Sequence, residues 1–170
     1  LSTLFNQAAC SLAVGGTSGK STVTGMLGWI MFQAGRDPTI MNGAVMKNFV
    51  APDAPFASAR VGQGGVFVSE VDESDGSIAL YAPDIAVLNN VSKDHKSMEE
   101  LRQLFGDFVG RAKTAIINAD NEEAMALAAG NARTFGLADH AGLRATEIVE
   151  RPDGRLAHRS PPMPASRVRI

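Results

Sequence analysis

Residues 13–27, AVGGTSGKSTVTGML, run from an apolar stretch through glycines and hydroxyls enclosing one lysine, then back into an apolar pattern. Gly15, Gly16, Thr17, Ser18, Gly19, Lys20, Ser21 and Thr22 thus fall after a strand-like segment and at the start of a helix-like one. Small residues let the backbone curl so that successive amides point inward, and a helix N-terminus adds partial positive charge at the same place. That arrangement suits phosphate. Lys20 is positioned to reach the outer phosphates of a nucleotide, and the Ser21 hydroxyl to ligate the magnesium that bridges them. The pattern is the shorter GTxGK[ST], because Val14 stands where the longer GxxxxGK[ST] places a glycine.

Outward from this loop, short β-rich runs alternate with helical segments. This predicts an α/β fold with a mostly parallel sheet and flanking helices. Strands are expected at 10–16, 38–42, 65–71, 84–90 and 114–120, most of them continuously apolar, as strands covered on both faces are. Residues 19–34 form the helix after the first strand, with Met26, Leu27, Ile30 and Met31 at helical spacing and Gly35 at its C-terminal end. Ser97 and Glu100 announce a second helix through a capping box, with Leu101, Leu104, Phe105 and Phe108 as its apolar stripe. A third occupies NEEAMALAAG and stops at Gly130. Beyond it the texture is short and alternating, with PDG at 152–154 suited to a hairpin and PPMP at 161–164 to a stiff connection. The expected organisation is the end of an interdomain helix at 1–9, an α/β core at 10–136, and a small antiparallel β annex at 137–170.

A phosphate loop needs a metal partner, and SEVDESDGS at 69–77 offers one directly after a strand. Glu70, Asp72, Glu73 and Asp75 crowd four carboxylates into six positions, where open α/β sheets bind ligands. Strand alternation cannot aim all four at one point, so one or two are expected at metal and the rest in caps or solvent. The next strand ends in NNVSKDHKS, delivering Asn90, Asp94 and His95 to the same edge. A neutral imidazole there can ligate a divalent cation while a carboxylate orients it. His140 and His158 lack such a context.

The whole composition narrows the classes. Sixteen basic against eighteen acidic side chains give a net charge of −2, no field for nucleic acid or an anionic membrane. Cys10 has no second thiol in the chain, which points to a reducing cytoplasm. No apolar run approaches the roughly 18 residues of a membrane span. The chain opens on Leu1 within an amphipathic pattern and ends on RVRI, which reads as a piece of a longer protein.

Together, GGTSGKST, EVDESDGS and NNVSKDH resemble, in order and separation, the central ATP-binding domain of the Mur ligases of peptidoglycan synthesis. Members of that family typically carry GTHGKTT, EADES or EADEY, and NxxxDH. The resemblance covers residues 8–136 and implies ATP and Mg2+ as cofactors. Lys20 would bind the β- and γ-phosphates within a loop of Gly16, Thr17, Ser18, Gly19, Ser21 and Thr22, and Asn90 would stand at the nucleotide. Ser21 and Glu70 would hold one magnesium, and His95 would serve a second. It also implies an amide-forming reaction through an acyl phosphate on a UDP-N-acetylmuramate-type carboxylate. That carboxylate and the amino acid or peptide would be held by flanking domains, so these residues alone are expected to lack ligase activity. Ser18, where the family usually has histidine or asparagine, and KSMEEL after His95 depart from its pattern. A folylpolyglutamate or cyanophycin synthetase-like ligase, and a nucleotide-binding module that ligates nothing, are the alternative readings.

Overall fold

The computed structural model describes residues 1–130, 132–146, 148–150 and 156–157. PDG at 152–154, His158 and PPMP at 161–164 lie outside the described residues. An eight-stranded sheet forms the centre, in the order β3-β2-β4-β1-β5-β6-β7-β8. Its strands are β1 (Cys10–Gly15), β2 (Thr39–Met41), β3 (Ala59–Arg60), β4 (Val66–Glu70), β5 (Ile85–Leu88), β6 (Thr114–Asn118), β7 (Ala132–Gly136) and β8 (Leu143–Arg144). All neighbours pair in parallel except β3, an antiparallel edge on β2. The five strands expected from apolar runs are all present. Leu143–Arg144, expected in an antiparallel annex, instead extends the parallel sheet beside β7. The antiparallel pair in that region is β9 (Val149–Glu150) with β10 (Leu156–Ala157).

The central strand β1 lies between β4 and β5, with Val14 beside Glu70 on one side and Val87 on the other. Alternation along the pleat gives the sheet two apolar faces. On one face α3 (Met98–Arg111) buries Leu101, Phe105, Phe108 and Val109 against a cluster that includes Ala13, Ala86, Leu88 and Ile117. Phe5, from the short α1 (Ser2–Asn6), joins this core edge-on to Phe67 and Tyr81. The expected capping box begins α3: Ser97 Oγ accepts from the Glu100 amide, and the Glu100 carboxylate accepts from the Ser97 amide. Leu104 of the expected stripe packs against this core partly buried.

The other face carries the row Ile40, Val68 and Leu12 in register, and α2 (Lys20–Gln33) packs over this part of the sheet. The packing surface of α2 differs from the expected stripe. Thr24 and Gly28 are its buried residues, while Met26 and Ile30 are 58% and 57% exposed. The cause is close approach: a Cβ built on Gly28 would stand 2.6 Å from Ile40 Cδ1, so the helix backbone itself lies on β2. Gly35 takes φ +71° after the helix, the left-handed stop expected of it. The third helix is shorter than the apolar pattern suggested, α4 (Glu122–Met125), and Asn121 caps it by accepting from the Ala124 amide. No helix among the described residues is long and apolar enough to cross a membrane.

Candidate functional site

The loop between β1 and α2 turns on two glycines in the left-handed half of φ space, Gly16 at +136° and Gly19 at +78°. A side chain is excluded at either for a second reason. A Cβ on Gly16 would meet the Asn90 carbonyl at 3.0 Å, and one on Gly19 would meet Asn89 Nδ2 at 2.7 Å. The loop is thus seated on the residues that follow β5. Asn90 accounts for most of the seat: its carbonyl accepts from the Thr17 amide, its Oδ1 from the Thr17 hydroxyl and Ser18 amide, and its Nδ2 donates to the Ser18 carbonyl. Asn89 Nδ2 donates to the same carbonyl, and Ser92 bonds Thr17 Oγ1.

Behind them stand two asparagines that belong to no motif. Asn118 Nδ2 donates to the Asn89 carbonyl at 3.0 Å, and Asn121 Oδ1 accepts from the Val91 amide at 3.1 Å. Carboxamides suit this work because each offers both donors and acceptors.

With Thr17 and Ser18 engaged this way, the amides left for a ligand are those of Gly19, Lys20, Ser21 and Thr22, which have no hydrogen-bond partner among the described residues. The first turn of a helix leaves such donors unsatisfied by its own geometry. Lys20 lies beside them. Its Nζ donates to the Gly16 carbonyl at 2.9 Å and to both oxygens of Glu73, at 3.2 and 2.9 Å. Side-chain exposure of 14% and 7% makes this a largely buried ion pair.

The four clustered carboxylates have separate employments. Glu70 Oε2 accepts from the Gly43 amide at 2.7 Å. Asp72 accepts from the Ser74 amide and Asp75 from the Ser77 amide, bonds that hold both carboxyls below the usual carboxylate range. These two serve their own turn, whereas Glu73 turns inward to Lys20. Glu73 is buried along with Phe67, Val68, Ser69 and Val71, whereas Asp72 beside it is exposed.

Ser21 and Thr22 line a pocket of about 290 Å³ with Gly25, Trp29, Asn42 and Phe49. Glu70 lines an adjoining one of about 200 Å³, and Asn42 belongs to both. The Oδ1 of Asn42 is buried with no hydrogen-bond partner. His95 lies apart from these, its imidazole 89% exposed and Nε2 3.4 Å from Asp94 Oδ1. It lines a small pocket of about 20 Å³ with Glu73, Ser74, Asp94 and Lys96. No three His, Cys, Asp or Glu side chains among the described residues converge on a metal position unaided.

A mostly parallel α/β sheet whose central strand runs through a glycine loop into a helix defines the class of this domain. The chain belongs to the Mur ligase middle domain family, whose model matches residues 14–166. It is 39% identical over 116 residues to UDP-N-acetylmuramate–L-alanine ligase of Nostoc sp. (strain PCC 7120), covering 66% of this chain and 22% of that one. The same-named ligase of Ruegeria pomeroyi is 35% identical over 159 residues, 87% of this chain and 32% of that one. The chain therefore spans about a fifth to a third of these relatives. Among solved structures, a murein peptide ligase from Psychrobacter arcticus is similar with a TM-score of 0.65 and 27% identity, over 79% of this chain and 34% of that one. UDP-N-acetylmuramate–alanine ligase from Thermotoga maritima shares the fold at a TM-score of 0.64 and 23% identity, over 77% and 29% of the two chains.

Proposed function

We propose that this domain binds ATP at the Gly16–Thr22 loop and serves an amide-forming ligase of peptidoglycan synthesis or recycling. The observation that carries the reading is the set of unpartnered amides at Gly19, Lys20, Ser21 and Thr22, beside the Lys20 ammonium. Backbone donors, helix dipole and a lysine meet at one point, which is the chemistry of a polyphosphate site. Asn90, expected at the nucleotide, contributes by shaping the loop.

Magnesium fits part of the expected donor set. A hydroxyl and a carboxylate suit a hard cation, and Ser21 and Glu70 line adjoining pockets. Bound with the phosphates, the ion would supply charge neutralisation. His95 lies on a different pocket, and its assignment to a second ion rests on the family motif. In the ligase, Lys20 would stabilise charge on the γ-phosphoryl group passing from ATP to a muramate-type carboxylate with ADP as leaving group, and an amine would attack the resulting acyl phosphate, forming the amide and releasing phosphate. UDP-N-acetylmuramate-type and amino-acid or peptide substrates are inferred from the relatives.

Calorimetric titration with magnesium-ATP tests the reading. Lys20→Ala should weaken binding at least about tenfold, because it removes a charge-assisted contact. Unchanged affinity in folded Lys20→Ala would remove the basis of the assignment.

A further inference from the structure

We infer that Glu73 is an internal anion that competes with nucleotide phosphate for Lys20, and so sets the affinity of the loop below what its amides and lysine would otherwise provide. The inference rests on the nucleotide reading of the loop. An ammonium has three donors, and those of Lys20 are taken by Gly16 and the two oxygens of Glu73. A phosphate seated on the amides of Gly19 to Thr22 would bring a second anion to the same group. Whichever hydrogen bond is exchanged, two anions then share one cation in a place where water screens little: Glu73 is 5% exposed.

Glu73 has a direction in which to yield. Glu73 also lines the small pocket with Ser74, His95, Lys96 and Asp94, so a carboxylate released by Lys20 has Lys96 as a cationic neighbour there, set against the charge of Asp94. In the absence of nucleotide the same pair holds Lys20 folded back over the loop, with the Gly16 carbonyl as its third contact. Glu73 is thus a positioning residue: it keeps the loop in shape before the nucleotide arrives and must be displaced when it does.

The test compares wild type, Glu73→Gln, Glu73→Asp and Lys20→Ala in this chain, with magnesium-ATP and with inorganic tripolyphosphate as probes. Glu73→Gln keeps the shape and an acceptor oxygen but removes the charge, and should bind both probes about fivefold more tightly or better, the difference between charged and neutral partners. Glu73→Asp draws the charge back by one methylene and should fall between, which keeps the test alive if Glu73→Gln does not fold. Ligand-free Glu73→Gln should melt earlier than wild type yet gain more in Tm at saturating ATP; a merely structural role would lower both states together.

If wild type binds, Lys20→Ala weakens binding, and neither Glu73 variant tightens it, the competition is refuted while the nucleotide site stands. Tightening toward ATP but not toward tripolyphosphate refutes it equally, because the competition is for phosphate. If wild type binds neither probe, the nucleotide reading itself fails and this inference falls with it.

Discussion

Removing Lys20 should reveal how much of the fold leans on one charge. Lys20→Ala deletes the cation that pairs with Glu73 and leaves a carboxylate 7% exposed at its side chain without its ion-pair partner. Breaking a buried pair in this way costs about 3–5 kcal/mol, and the 14% exposure of Lys20 places this pair near the lower figure, about 3 kcal/mol. In a chain of this size that is a fall in Tm of roughly 6–12 °C. Glu73→Ala should cost less, about 2 kcal/mol, since the longer lysine reaches solvent more readily. The double variant Lys20→Ala/Glu73→Ala removes both charges and should cost about 2 kcal/mol rather than the sum of about 5, a coupling of about 3 kcal/mol. Urea denaturation of the four ligand-free proteins, followed by circular dichroism, measures the cycle. Additivity to within about 0.5 kcal/mol, or a Lys20→Ala cost below about 1 kcal/mol as for an exposed pair, would refute the reasoning.

Two further predictions concern the scaffold. Asp84 accepts from the Ser11 amide and hydroxyl and pairs with Lys113, a bond that with the Ser11 contacts holds its carboxyl below the usual range. A carboxyl depressed in the folded state stabilises above its unfolded value and loses that contribution as pH falls through the folded one. The stability gap between wild type and Asp84→Asn should therefore narrow below about pH 4, and a gap constant down to pH 2 in denaturant titrations would count against it. Gly28→Ala gains about 1 kcal/mol of helix propensity but drives a methyl into Ile40, an overpacking cost of about 1–3 kcal/mol. Net destabilisation is expected, partly relieved by Ile40→Val, which removes the Cδ1 atom nearest the new methyl; a Gly28→Ala protein more stable than wild type would show the helix has room to lift.

Five strands, β1, β2, β4, β5 and β6, were legible because burial on both faces makes them continuously apolar, and α3 because its capping box and stripe obey one period. The loop was legible because its glycines sit where φ must be positive. What escaped the sequence was choice among equivalents. Four carboxylates in six positions look alike in a row, and the turn that gives Asp72 and Asp75 the amides of Ser74 and Ser77 is what leaves Glu73 to Lys20. The buried face of α2 escaped for a related reason: Met26 and Ile30 are larger and more apolar than Thr24 and Gly28, yet close packing on Ile40 selects the small residues. Asn118 and Asn121 carry no motif, and their link to the loop through Asn89 and Val91 exists only once β5 and β6 are side by side.

Trp29 lines the same pocket as Ser21 and Thr22, stacked on Phe32 at 5.7 Å and edge-on to Phe49 at 5.4 Å. The Arg60 guanidinium lies over the Phe32 ring at 4.7 Å. Trp29 is also the single tryptophan of the chain. The domain therefore carries a built-in optical probe whose indole shares its surroundings with the two hydroxyls at the start of α2. Its emission reports the polarity of that pocket without a label, and no second indole contributes background.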